Sequence, residues 1–329
     1  QVFTNMRAVQ DSRYPLTVYY AFKQTESVAT GDVERSASTG WETMLDGLIK
    51  SGLRITGTWP MRTEMLTRAV AMGTNALASS IVLACRPRSK DAPMTTRRDF
   101  LTALKKELPE AIKKLQQGSI APVDMNQAVI GPGMAVFSRY SKVIEADGTA
   151  MRVREALALI DQVFVEFMSE QEGEYDAVTR WALAWFESFG MDAGPYGEAE
   201  TLSKAKNTAV SSMVQSGIVE AQGGKVRLLK GVEYPEEWDP FDKQNLIIWK
   251  ATQCMVRAHQ ENGDNAAAEI LRKVGTVGDK IRNLAYRLYT ICERKNWAEE
   301  ALPYNALVVS WPEIQRLAGK GTIEQTSWI

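Results

Sequence analysis

Leu16-Thr17-Val18-Tyr19-Tyr20-Ala21-Phe22 is a run of aromatic, β-branched and small side chains, bounded by Pro15 and by polar Lys23-Gln24. That composition favours a strand over a helix. The run is nearly all apolar, which predicts a sheet strand covered on both faces.

Downstream the pattern alternates. A polar stretch rich in Ser, Thr and Gly passes through Gly31 and Ser36. Ser38 or Thr39 can cap a helix in which Trp41, Met44, Leu45, Leu48 and Ile49 recur at helical spacing. Ser51-Gly52 stops it. Residues 53–59 read as a second strand, closed by Pro60. Ala78-Ser79-Ser80-Ile81-Val82-Leu83-Ala84-Cys85 reads as a third, ended by Arg86-Pro87-Arg88. Residues 63–73 between them have weak helical character. The order strand, helix, strand, loop, strand resembles the closing end of a Rossmann-like methyltransferase sheet, whose final strand inserts antiparallel. A doubly wound sheet needs more strands than these three. The segment therefore reads as incomplete at its amino end.

Near residue 93 the character changes. Lys90-Asp91-Ala92-Pro93 is linker-like. It divides an α/β part, residues 1–92, from a mostly helical part, residues 93–329. Helices are expected at 95–117, 150–168, 175–189, 198–216, 241–262, 264–274, 278–295 and 297–302. Gly131-Pro132-Gly133 follows no strand and reads as a turn or a helix cap. Residues 198–230 stand apart: a helix, then Gly217-Ile218-Val219-Glu220-Ala221, a Gln222-Gly223-Gly224-Lys225 turn and Val226-Arg227-Leu228-Leu229. A helix followed by such a hairpin resembles a winged helix. On that reading Lys204, Lys206 and Asn207 of the helix, and Lys225 and Arg227 of the hairpin, are the DNA-contacting candidates. The alternative is a hairpin that caps the helical core.

Composition excludes several classes. The chain has 329 residues, with 39 Lys and Arg, 40 Asp and Glu, one His and three Cys. No apolar run approaches the ~20 residues of a membrane span. The first residues carry no secretory signal. Sparse, odd cysteines fit a reducing cytoplasm, and the lack of any Cys-x-x-Cys pair excludes a zinc ribbon within this chain. His259 has no acidic pair at helical spacing and reads as a surface or capping residue. Residues 1–118 hold 17 Lys and Arg against 11 Asp and Glu, while the remainder holds 22 against 29. A nucleic-acid site needs a basic face and not only a basic total. There is no Gly-x-Gly-x-x-Gly to admit a nucleotide cofactor at a helix start. There is no Asp/Asn-Pro-Pro-aromatic turn to hold a flipped base and accept from its amino group. Glu236-Glu237 and Glu299-Glu300 are neighbours, and on a helix neighbours point apart. The residues alone support an α/β segment followed by a mostly helical protein, without a complete active site.

Certain strings go further. Tyr14-Pro15-Leu16-Thr17-Val18-Tyr19-Tyr20-Ala21-Phe22-Lys23-Gln24, Ser38-Thr39-Gly40-Trp41-Glu42-Thr43-Met44-Leu45 and Ile55-Thr56-Gly57-Thr58-Trp59-Pro60-Met61-Arg62-Thr63-Glu64-Met65 resemble the large bacterial and archaeal adenine-specific DNA methylases that carry a zinc-ribbon insertion. Ile130-Gly131-Pro132-Gly133-Met134-Ala135-Val136-Phe137-Ser138-Arg139-Tyr140-Ser141, Arg180-Trp181-Ala182-Leu183-Ala184-Trp185-Phe186 and Ala301-Leu302-Pro303-Tyr304-Asn305-Ala306-Leu307-Val308 are similar to the same family. The resemblance implies an S-adenosylmethionine-dependent enzyme acting on DNA in the cytoplasm, often encoded beside defence-system proteins. It also implies that the cofactor loop, zinc ribbon and catalytic tetrad lie upstream of Leu16. This chain, which begins with Gln, is then expected to be a fragment with no catalytic or cofactor-binding residue of its own. Lys23 and Gln24 would frame the target-base pocket beyond a strand end. Arg62 would bind a phosphate, and Trp59 would stack on a base or, by the commoner fate of tryptophan, lie in the core. The competing expectation is a non-catalytic DNA-binding or adaptor module.

Overall fold

The computed structural model describes residues 2–21, 39–62, 79–235 and 246–325. The chain clusters into two compact units, Gln1–Met168 and Ser169–Ile329. The first contains α1 (Val2–Val9), β1 (Leu16–Ala21), α2 (Thr39–Lys50), β2 (Leu53–Arg62), β3 (Ser79–Pro87), β4 (Met94–Thr96), α3 (Arg97–Gln117), α4 (Pro122–Ser138), β5 (Lys142–Ile144) and most of α5 (Val153–Glu170). β3 lies between β1 and β2 and runs antiparallel to both. β4 and β5 form a separate short parallel pair.

Residues directly opposite each other in an antiparallel pair share a face. One face of the sheet carries Val18, Tyr20, Ile55, Thr58, Leu83 and Cys85. α2 covers it by its Trp41 ring, 5.0 Å from that of Tyr20. Trp41, Leu45 and Leu48 are buried, as their spacing predicts. α4 covers the β2 side of the same face. A Cβ added at Gly131 would overlap Thr58, and one added at Gly133 would press on Ile160 of α5. The Gly-Pro-Gly string is therefore helix interior, not a turn or cap: its glycines let α4 approach the strand on one side and α5 on the other. Ser138 fixes the end of this contact, its hydroxyl accepting from the Ile55 N–H at 2.9 Å.

The opposite face carries Thr17, Tyr19, Gly57, Trp59, Met61, Ser80 and Val82. Here Tyr19 is 68% exposed and Trp59 56% exposed. The expectation that the first strand is covered on both faces is thus corrected, and so is core burial of Trp59. α2 and α4 both pack on the other side, and the apolar run overstated burial because a tyrosine keeps its hydroxyl end in water at little cost.

The second unit holds α6 (Ala177–Phe189), β6 (Gly194–Pro195), α7 (Tyr196–Ala205), α8 (Val210–Gln215), β7 (Val219–Gln222), β8 (Lys225–Leu228), α9 (Ile248–Val274), α10 (Gly278–Lys295) and α11 (Ala298–Gln325). α9, α10 and α11 pack on one another around buried Trp249, Tyr286, Tyr289, Tyr304 and Trp311. α9 breaks at Gly263, φ 72°, where the sequence also divides two helices. His259 contacts Asp264 across that break, its Nε2 3.1 Å from the carboxylate. α11 runs well past the expected 297–302. Pro303 and Pro312 sit inside it, and the burial of Tyr304, Leu307, Val308, Trp311 and Ile314 offsets the ~3 kcal/mol that an interior proline costs.

The amino end of α9 has no side-chain cap of its own. Its first N–H groups are satisfied from α6: the Ile248 N–H donates to Asp176 at 3.1 Å and the Trp249 N–H to the Thr179 hydroxyl at 2.9 Å. Asp176 also caps α6, accepting from the Thr179 N–H at 2.8 Å. One carboxylate therefore holds two helix starts. Among the described residues no helix is long and apolar enough to cross a membrane.

Candidate nucleic-acid interface

The residues named from the sequence gather in two places. Those of the second unit surround α7, α8 and the β7–β8 hairpin. The expected single helix over 198–216 is two helices. The chain turns through Lys206, Asn207, Thr208 and Ala209, and Asn207 takes the left-handed conformation at φ 53°. Asparagine tolerates that region because its short side chain bonds locally. α7 buries Ala199 and Ser203, the latter accepting from the Trp181 indole N–H at 2.9 Å. α8 buries Val210 and Met213. This leaves Ser211, Ser212, Val214 and Gln215 of α8 facing outward.

The hairpin returns at once. β7 pairs β8 with Gln222 opposite Lys225. Gly223 and Gly224, at φ 60° and 75°, make the two-residue loop, the glycine pair that such a turn requires. β6, just before α7, pairs with the outer edge of β8, so the sheet order is β6-β8-β7. Val226 and Leu228 point into the core, and the turn projects into solvent.

Charge around this element is uneven. Lys204, Asn207 and Lys225 are exposed and Lys206 is half-buried. Arg227 is not free to meet a polyanion. It bonds Glu233 through both terminal nitrogens, at 2.8 and 2.7 Å, and lies 2.6 Å from Glu220. The guanidinium holds the Glu233 carboxyl down to about 2. Arg227 is thereby a clasp that fixes the base of the hairpin. Periodicity alone reads 198–216 as one helix and so does not single out the outward residues of α8; Asn207 beside Thr208, a pair that favours a turn, is the local signal that separates α7 from α8.

In the first unit, Lys23 and Gln24 lie outside the described residues, as does Glu64. Arg62 ends β2. Trp59 stands on the open sheet face. A cleft beside β2 is bordered by Arg54, Thr56, Glu107 and Arg139, but Arg139 is bonded by Glu107 at 3.0 and 2.7 Å, which neutralises it. Cys85, Cys254 and Cys292 are free and buried. Burial pushes the thiols of Cys85 and Cys254 up to about 11, so neither is a ready nucleophile. Among the described residues no group of His, Cys, Asp and Glu is placed to hold a metal ion.

Residues 176–327 match the family model described as "Domain of unknown function (DUF8807)". No curated protein and no solved structure matches the chain.

Proposed function

We propose that the second unit docks on duplex DNA, and that the chain is the carboxyl-terminal part of an S-adenosylmethionine-dependent adenine DNA methyltransferase. The observation that carries the docking is the order strand, helix, turn, helix, hairpin, with β8 between β6 and β7. That arrangement has the element order of a winged helix, and on this reading α8 enters the major groove while the Gly223-Gly224 turn lies along the backbone. Ser211, Ser212 and Gln215 then face base edges, and Lys204, Lys206 and Lys225 face phosphates. The methyltransferase part is supported by the resemblance of the quoted strings and by β3, inserted antiparallel between its neighbours.

The described residues do not fit the cofactor. No Gly-x-Gly-x-x-Gly follows a described strand, and the ends of β1, β2 and β3 are Ala21, Arg62 and Pro87, none of them a carboxylate for a ribose. No step of methyl transfer is assigned to this chain. That same observation favours a second reading, a non-catalytic DNA-binding or adaptor module. The two separate on mixing the chain with a polypeptide that carries an Asp-Pro-Pro-Tyr tetrad: labelled methyl incorporated into DNA only in the mixture supports the first.

Docking is tested by fluorescence anisotropy on a duplex over a salt series. Replacing Lys206 and Lys225 together by Ala should reduce the slope of log K against log salt by about 2, one per lost phosphate contact. Equal slopes for the variant and the parent chain would sink the assignment.

A further inference from the structure

We infer that the open face of the β1-β3-β2 sheet is a stacking platform for single-stranded nucleic acid. This goes beyond the docking of duplex DNA. It rests on the first unit's own residues and needs neither α8 nor methyl transfer.

The geometry comes from register. Tyr19 of β1 and Trp59 of β2 are both opposite Val82 of β3. Three residues in one cross-strand row share a face, so the two rings flank Val82. Strands lie about 4.8 Å apart, which puts the two aromatic positions on the order of 10 Å from each other. Both are more than half exposed, whereas Val82 is 6% exposed and forms the floor. The Trp59 ring depends on the glycine beside it: a Cβ built on Gly57 would lie 2.7 Å from its Cη2. The rim of the indole thus packs beside Gly57, and the 56% of the residue that stays exposed is left to receive a base.

Charge on the same face fits a polyanion. Arg54 is directly opposite Arg86, in line with Tyr19 and Trp59 on their side of the sheet. Like charges facing each other across strands are destabilising, and no described carboxylate pairs with either. Arg86 instead donates to the carbonyls of Ser12 and Arg13, at 3.1 and 3.2 Å, which leaves its charge intact. The sequences of β1, β2 and β3 contain three arginines and no Asp or Glu. Exposed aromatic rings beside uncompensated cations are what a sequence-tolerant single-strand site requires: bases stack on the rings and phosphates lie against the arginines. A purely apolar protein partner would leave the two arginines unmatched.

The test uses the full chain and a labelled oligothymidylate of about 15 nucleotides, within the span a single platform covers. Binding should quench tryptophan emission, and the quench should vanish in Trp59→Phe while affinity stays within about threefold. Trp59→Ala and Tyr19→Ala should each weaken binding about tenfold, the loss of one stacked base. Gly57→Ala, which displaces the indole without removing it, should weaken binding as well. Arg54→Gln should flatten the salt dependence. Duplex affinity should be unchanged in all of these. Wild-type affinity in both alanine variants, or no binding of the oligonucleotide by the parent chain, overturns the proposal. So does a change of oligomeric state in Trp59→Ala, which would give this face to a second copy of the chain.

Discussion

Glu300 is a carboxyl whose burial favours the protonated form. Burial raises its pKa above the usual range, while a hydrogen bond from the Tyr304 hydroxyl, at 2.9 Å, and the charge of Lys230 oppose the shift. Gln253 donates in turn to the Tyr304 oxygen at 3.2 Å, and the Cys292 thiol, itself pushed up by burial, lies close enough to feel the charge. A carboxyl whose pKa is raised on folding favours the fold below its unfolded value, and that contribution is lost as pH rises through the folded value. Glu300 therefore costs stability at neutral pH. Glu300→Gln keeps an oxygen for Tyr304 and should raise the melting temperature at pH 7 by about 2–4 °C, with the gap closing as pH falls toward 4. Thermal melts across that range would show it, and an equal gap at every pH would exclude the assignment. Nothing in Glu299-Glu300 forecast this. The string reads as two solvated charges, and only the packing of α11 on α9 and α10 half-buries the second.

At the scale of elements, Asp176 shows how two helices are started by one side chain. Asp176→Ala should remove the α6 cap and leave the Ile248 N–H without its acceptor. The expected loss is about 2 kcal/mol, one cap and one hydrogen bond to a charged group, measured by urea unfolding of the full chain. Asp176→Asn, which retains an acceptor, should recover at least half of it. A loss below about 0.5 kcal/mol in the alanine variant would mean that water replaces both bonds. The sequence places the helix at 175–189, two residues before its observed start, and so puts Asp176 inside it and not at its cap. The bond of Asp176 to α9, seventy-two positions away, is not legible either, because no local pattern records which helix will lie alongside. The same limit explains the Gly-Pro-Gly string and α11. Glycine and proline signal breaks locally, and close approach to Thr58 and burial of Trp311 override them.

For the whole molecule, the two compact units and the match of residues 176–327 define what should fold alone. Residues 169–329, expressed separately, should melt in a single cooperative transition and bind duplex DNA with the salt slope of the full chain. Circular dichroism and anisotropy check the two halves of that statement. A folded second unit with no duplex affinity would move the docking elsewhere. The composition change near residue 93 marks where helices begin to dominate. The contacts continue through it, because α4 supplies the cover for β2.

The sequence by itself determined where β1 and β2 begin, the helical stripe of α2, the full extent of α10 and the Gly223-Gly224 turn, since each depends on neighbours a few residues apart. It also established the absence of a glycine-rich loop and of a Pro-Pro turn. Only the tertiary structure decided which face of the sheet stays open, that Arg227 is consumed by Glu220 and Glu233, and that α8 is a separate helix presenting Ser211, Ser212 and Gln215. Those outcomes depend on what packs against a residue from distant parts of the chain, and periodicity carries no information about the partner.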